Sequence, residues 1–178
     1  MEIELLVKLT SKAWSLKILS LLHSGVPGRQ AALIAATGAS RTSFASSLAH
    51  LGQLGLLEKN PGHGHPLRPE FRLTKKGIEA AAMAHRILEA VPDDTAVHLL
   101  RRSWVVPILA VTGTPQRFSN IRSGLAPVTD RALSQTLSIL ENQDWLKRDI
   151  IVSARTPFPI YHAANTGWHI NQAIGLSF

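Results

Sequence analysis

The chain has no cysteine among its 178 residues, which excludes disulfides, thiolate metal sites and cysteine nucleophiles together. It also lacks an apolar run approaching the ~18 residues of a membrane-spanning helix and a charged-then-apolar leader, so the expectation is a cytoplasmic, nucleoid-associated protein with no membrane partner. Acids are scarce. Twelve Asp and Glu against 19 Lys and Arg leave a net charge of +7 and a sequence pI near 10.4. Residues 1–91 carry 11 cations against 6 acids, and residues 92–178 carry 8 against 6. Such an excess favours nucleic acid or another polyanion as partner, although it also serves solubility. No Ser/His/Asp spacing, carboxylate pair or glycine-rich phosphate loop stands out, so neither an enzyme nor a cofactor is expected. His63 and His65 lie between glycines, but no carboxylate or further histidine is close in sequence, and a plain loop is preferred to a metal site.

What the chain does have is organised around residues 128–151. Thr129 suits a helix N-cap, and Asp130 beside it suits the positive start of the helix. Leu133, Leu137 and Leu140 then form one apolar stripe. Arg131, Ser134, Gln135 and Ser138 fill the opposite face, and Trp145 to Ile151 follow as a basic strand. A polar-faced helix feeding such a strand is how a winged helix-turn-helix carries its recognition helix and wing. The device occurs twice. Ser40 caps an earlier helix with Phe44, Leu48 and Leu51 as its stripe and Arg41, Ser43, Ser46, Ser47 and His50 away from it. Trp14 and Trp104, Pro69 and Pro159, Phe71 and Tyr161, and Gly77 and Gly167 each stand 90 residues apart, while Pro27 with Pro115 and Arg29 with Arg117 stand 88 apart. The expected fold class is therefore α+β, mainly α: two tandem winged-helix domains, 1–91 and 92–178, each a helical bundle with a two-stranded β wing.

Taken in order, residues 3–24 predict one long amphipathic helix or two joined ones. The run Ala31-Ala32-Leu33-Ile34-Ala35-Ala36 predicts a short helix buried on more than one side. Asn60 to Pro69, dense in glycine and proline, predicts a loop between two strands. Thr74 caps a helix whose alanines, Ala80, Ala81, Ala82 and Ala84, offer a smooth side for an interface, or simply favour helix. Pro107 should kink its helix or begin it anew. Pro115 reads as the first residue of a short helix that runs on through Gln116 to Ser123. Four tryptophans, Trp14, Trp104, Trp145 and Trp168, suit either core packing or an effector pocket, and their places on apolar stripes favour the core.

Ser103-Trp104, Pro115 to Ile121, the helix Thr129 to Leu140, Trp145 to Arg148 and Pro157 to Tyr161 together resemble the HxlR-type winged helix-turn-helix regulators. The resemblance covers residues 99 to about 174; residues 10 to 85 share it more loosely, through Trp14, Pro27, Arg29 and Leu73-Thr74-x-x-Gly77. It implies transcriptional regulation, and so double-stranded DNA as partner, but names no ligand; a small-molecule effector is an expectation drawn from what regulators often need. The cysteine typical of that family is missing, so thiol sensing is excluded. One domain per chain is usual there, so the duplication points to a pseudo-dimeric monomer or a homodimer reading two half-sites about one helical turn apart.

On this reading Ser40, Arg41, Thr42, Ser43 and Ser46 in the first copy, and Thr129, Arg131, Ser134 and Gln135 in the second, face the bases. Arg29, Arg117 and Arg122 hold phosphates, and wing residues Lys59, Arg68, Arg72, Lys147, Arg148 and Arg155 add backbone contacts. The rival reading is a tandem winged-helix module that binds a small molecule or a protein without specific DNA binding.

Overall fold

A computed structural model describes residues 2–65, 68–92, 94–152 and 156–176, with side chains throughout these except at 62–65, 68, 94 and 95. In chain order the elements are α1 (Ile3–Thr10), α2 (Ser15–His23), α3 (Gln30–Thr37), α4 (Arg41–Gln53), β1 (Leu57–His65), β2 (Arg68–Leu73) and α5 (Lys75–Glu89). They continue with α6 (Asp94–Val97), a 3-10 turn (His98–Arg101), α7 (Val105–Val111), β3 (Gln116–Arg117), α8 (Phe118–Gly124), α9 (Asp130–Asn142), β4 (Leu146–Ile151), β5 (Phe158–Ala163) and α10 (Thr166–Ile174). The fold is mainly helical α+β, with one two-stranded and one three-stranded antiparallel sheet.

The chain packs into two compact units: Lys12–Glu89, the first unit here, and Met1–Ser11 with Ala90–Phe178, the second. The expected halves 1–91 and 92–178 put residues 1–11 in the first copy, whereas packing puts them in the second unit. The cause is α1 itself. Leu6 and Leu9 are fully buried, α1 packs on α7, and the Thr10 hydroxyl donates to Ser103 O at 2.9 Å. A leucine stripe shows that a helix needs a partner without saying which partner it takes.

The two units repeat one set of backbone devices. Each has a 13-residue helix, α4 or α9, whose cap hydroxyl accepts from the third residue on: Ser40 from Ser43 N, Thr129 from Ala132 N. Each helix ends in a positive φ, 69° at Gly55 and 56° at Asp144, so that the chain can turn into a strand. Leu56 N then donates to Leu51 O at 3.0 Å, and Trp145 N to Leu140 O at 2.9 Å. The hairpin returns to the same place in both: Thr74 N donates to Leu56 O, and Ala164 N to Trp145 O. Gly77 and Gly167 sit directly over those two carbonyls. A Cβ at either would lie 1.9 Å from the carbonyl oxygen, of Leu56 in one unit and of Trp145 in the other.

Several local expectations change. In α3 only Leu33 and Thr37 are buried while Ala31, Ala35 and Ala36 are exposed, because small side chains favour helix without needing cover. The residues expected as a loop extend the β1–β2 ladder, with Gly64 opposite Pro69 and a register shift after Lys59 that absorbs the irregular backbone. Gln116 and Arg117 are not helical but form β3 against Tyr161 and Ile160, giving the second unit three strands where two were expected. In the first unit, a lone bridge from Arg29 to Glu70 stands in the corresponding place. The alanine side of α5 is occupied within its own unit: Ala80, Ala81 and Ala84 are fully buried, and α5 runs along α2. Pro107 falls in the first turn of α7, where no N–H is required of it, so the helix begins anew there. No helix of the described residues is long and apolar enough to cross a membrane.

Candidate functional site

The sequence around α9 builds an exposed polar helix on a fixed base. Ile121, Leu125 and Val128 bury the turn between α8 and α9, and Val128 N closes it by donating to Leu125 O at 2.9 Å. Leu133, Leu137 and Leu140 are buried as their spacing predicts. Thr136 joins them, its hydroxyl donating back to Ala132 O at 2.8 Å. Thr129, Asp130, Arg131, Ser134, Gln135 and Ser138 all face solvent. The helix is thus held from behind while Arg131, Ser134, Gln135 and Ser138 stand in solvent. The Thr129 hydroxyl accepts from Ala132 N at 3.2 Å. Thr129→Ala is expected to cost about 1 kcal/mol in a urea titration; an unchanged midpoint would show that the cap contributes nothing.

In the first unit α4 exposes Arg41, Thr42, Ser43 and Ser46 along with its cap Ser40, and buries Phe44, Leu48 and Leu51. Ser47, expected on the exposed face, is buried. Its oxygen accepts from Trp14 N at 3.3 Å, a contact set by the packing of two helices and not by spacing along one.

Of the arginines assigned to phosphate, Arg29 is exposed beside its bridge to Glu70. Arg117 is exposed but stacks its guanidinium 3.6 Å from the Phe158 ring centroid. Arg122 pairs with Asp130, which explains the acid among the presumed readers: it holds a neighbour's charge at the helix start. In the first wing Arg72 is paired with Glu58 at 2.7 Å. Arg122 and Arg72 thus each have an acid partner, in pairs exposed to solvent. Lys59, Lys147 and Arg148 are exposed on the strands, and Ile150 and Val152 add apolar surface to the second hairpin. Arg155 and the side chain of Arg68, like those of His63 and His65, lie outside the described residues. Among the described residues there is no cluster of three or more metal-ligating side chains.

The tryptophans divide. Trp145 is buried, Trp14 and Trp104 are half-buried at the starts of α2 and α7, and Trp168 is 42% exposed on α10. The core expectation holds for Trp145 and fails for Trp168, because its helix is covered on one side only. A feature that spacing along one helix did not point to is the turn Arg102-Ser103-Trp104, which walls an open groove against the polar face of α9. Its counterpart in the sequence is Lys12-Ala13-Trp14, with the same cation two residues before a tryptophan.

Residues 99–176 match a family model described as HxlR-like helix-turn-helix. The match takes in α7 to α10 and the three-stranded sheet. The first unit has a similar helix-helix-hairpin pattern but no family match. No curated protein and no solved structure matches the chain. The matched family consists of transcription regulators and not enzymes, and a domain of this kind suggests a DNA-binding regulator.

Proposed function

We propose, from the helix-turn-helix match at residues 99–176, that the chain is a sequence-specific regulator of transcription that reads double-stranded DNA with α9 and, through the first unit, with α4. The observation that carries this reading is the α9 face: a capped helix with one buried stripe, and Arg131, Ser134, Gln135 and Ser138 together in solvent. A helix of this kind fits the major groove, where an arginine fork bonds guanine at two points and a glutamine amide bonds adenine. The repeat of cap, stripe, turn and glycine in the first unit supports a second reading helix there, with Arg41 and Thr42 following the cap. The basic surplus supplies attraction to any duplex, and the helix faces supply the choice among sequences.

The test is selection of bound duplexes from a randomised pool, followed by anisotropy titration of the enriched sequence. Arg131→Ala should weaken the preferred duplex by about 1–3 kcal/mol while leaving a scrambled duplex nearly unchanged. A pool with no enriched sequence sinks the regulator reading. An enriched sequence whose affinity ignores Arg131→Ala removes that residue from the readers.

A further inference from the structure

The groove beside α9 contains a cation, Arg102, that no described acid neutralises. Arg102 is exposed and makes no ion pair with a described residue, unlike Arg122, which Asp130 neutralises. The groove is open, about 780 Å³, with Arg102, Ser103 and Trp104 on one wall and Ser134, Gln135 and Ser138 of α9 on the other. Among the described residues no carboxylate lines it. A guanidinium facing neutral hydroxyls and an amide, with the indole of Trp104 alongside, matches one ligand chemistry well: an anion of single charge with several acceptor oxygens, attached to a compact apolar ring.

We propose that this groove holds the sugar-phosphate backbone of the DNA strand bordering the major groove that α9 enters, with Arg102 clamping one phosphate. The inference rests on the regulator reading above and adds to it a contact that fixes the depth and angle of the reading helix. The first unit repeats the turn that carries the cation, and joins it to α4 through Trp14 N, which donates to the Ser47 hydroxyl at 3.3 Å. Lys12 stands 90 residues before Arg102, is exposed, and makes no ion pair with a described residue. Its turn is built identically: Ser15 N donates to Lys12 O at 3.2 Å, as Val105 N donates to Arg102 O at 3.2 Å. Cations recur between the copies at offsets of 90 or 88, Lys12 with Arg102, Arg41 with Arg131 and Arg29 with Arg117 among them. Lys12 is accordingly the phosphate clamp beside α4.

The experiment is an anisotropy titration of the full chain against the selected duplex and a scrambled one, from about 50 to 200 mM salt. Arg102→Ala should weaken both duplexes by the same factor, about tenfold, and make the log–log salt slope shallower by about 1. Arg102→Lys should keep the slope, since it keeps the charge. Lys12→Ala should repeat the effect of Arg102→Ala. Both side chains are exposed, so circular dichroism of the variants should overlay the parent. If the parent chain binds and Arg131→Ala loses selectivity while Arg102→Ala changes neither affinity nor slope, the clamp is overturned and the regulator reading stands. A silent Lys12→Ala overturns the clamp in the first unit alone. If the parent binds no duplex, the regulator reading fails and the clamp with it.

Discussion

Gly167→Ala is expected to destabilise the second unit by about 3 kcal/mol, a large effect for one methyl group. The new Cβ would lie 1.9 Å from Trp145 O and 3.0 Å from Leu109 Cδ2. Neither neighbour can give way cheaply. The carbonyl is backbone and already accepts from Ala164 N at 3.0 Å, and Leu109 is fully buried. The first turn of α10 would have to lift off the start of β4, opening the core that Trp145 and Ile170 close. Gly77→Ala should do the same to the first unit, where the Cβ would meet Leu56 O at 1.9 Å. Gly124→Ala is the control: nothing lies within 4 Å of its Cβ, and its φ is not in the left-handed region. There the expected change is neutral or a gain of up to about 1 kcal/mol, because alanine restricts the unfolded chain. Urea unfolding followed by circular dichroism reads all three. Equal midpoints for Gly167→Ala and Gly124→Ala would refute the close approach.

The second large effect is expected at Asn171. Its side chain is buried, and its Nδ2 donates to Leu109 O at 2.9 Å and Ala110 O at 3.0 Å. Those carbonyls belong to the last turn of α7, which has no further helical N–H to offer them. Asn171→Asp removes both donors and puts a carboxylate against two carbonyl oxygens, for an expected cost of about 3–5 kcal/mol. Asn171→Ala should cost less, about 1–3 kcal/mol, since it leaves the carbonyls unmatched without adding a repelling charge. The ordering is the test. If Asp is tolerated as well as Ala, the two carbonyls find other partners and the amide does not tie α10 to α7. This tie matters to the site because α7 also carries the Arg102–Trp104 turn at its other end.

Part of this molecule could be read along the chain. The α9 stripe came from residues three and four apart, and its cap from a hydroxyl three residues before the N–H it accepts from. Such rules act within one helix, so one helix of sequence suffices to apply them. The pairing of Gly77 with Gly167 was legible for a different reason. Both positions demand the absence of a side chain against a carbonyl, and repetition of that demand at a fixed offset shows in the sequence before its cause is known.

The sequence by itself thus determined most of the helices, the caps of α4 and α9, the polar face of α9 and the spacing pattern that suggests a repeat, because each depends on neighbours close along the chain or on a pattern copied whole. Only the tertiary structure decided that α1 packs with the second unit, that Ser47 is buried and accepts from Trp14 N, that Gln116 and Arg117 join a sheet, and that Asp130 pairs with Arg122 while Arg102 has no ion pair with a described residue. Each of those outcomes is a choice among partners far apart in sequence. Apolar stripes and charges state what a residue needs, and it is the packing of one element against another that selects which of several adequate partners meets the need.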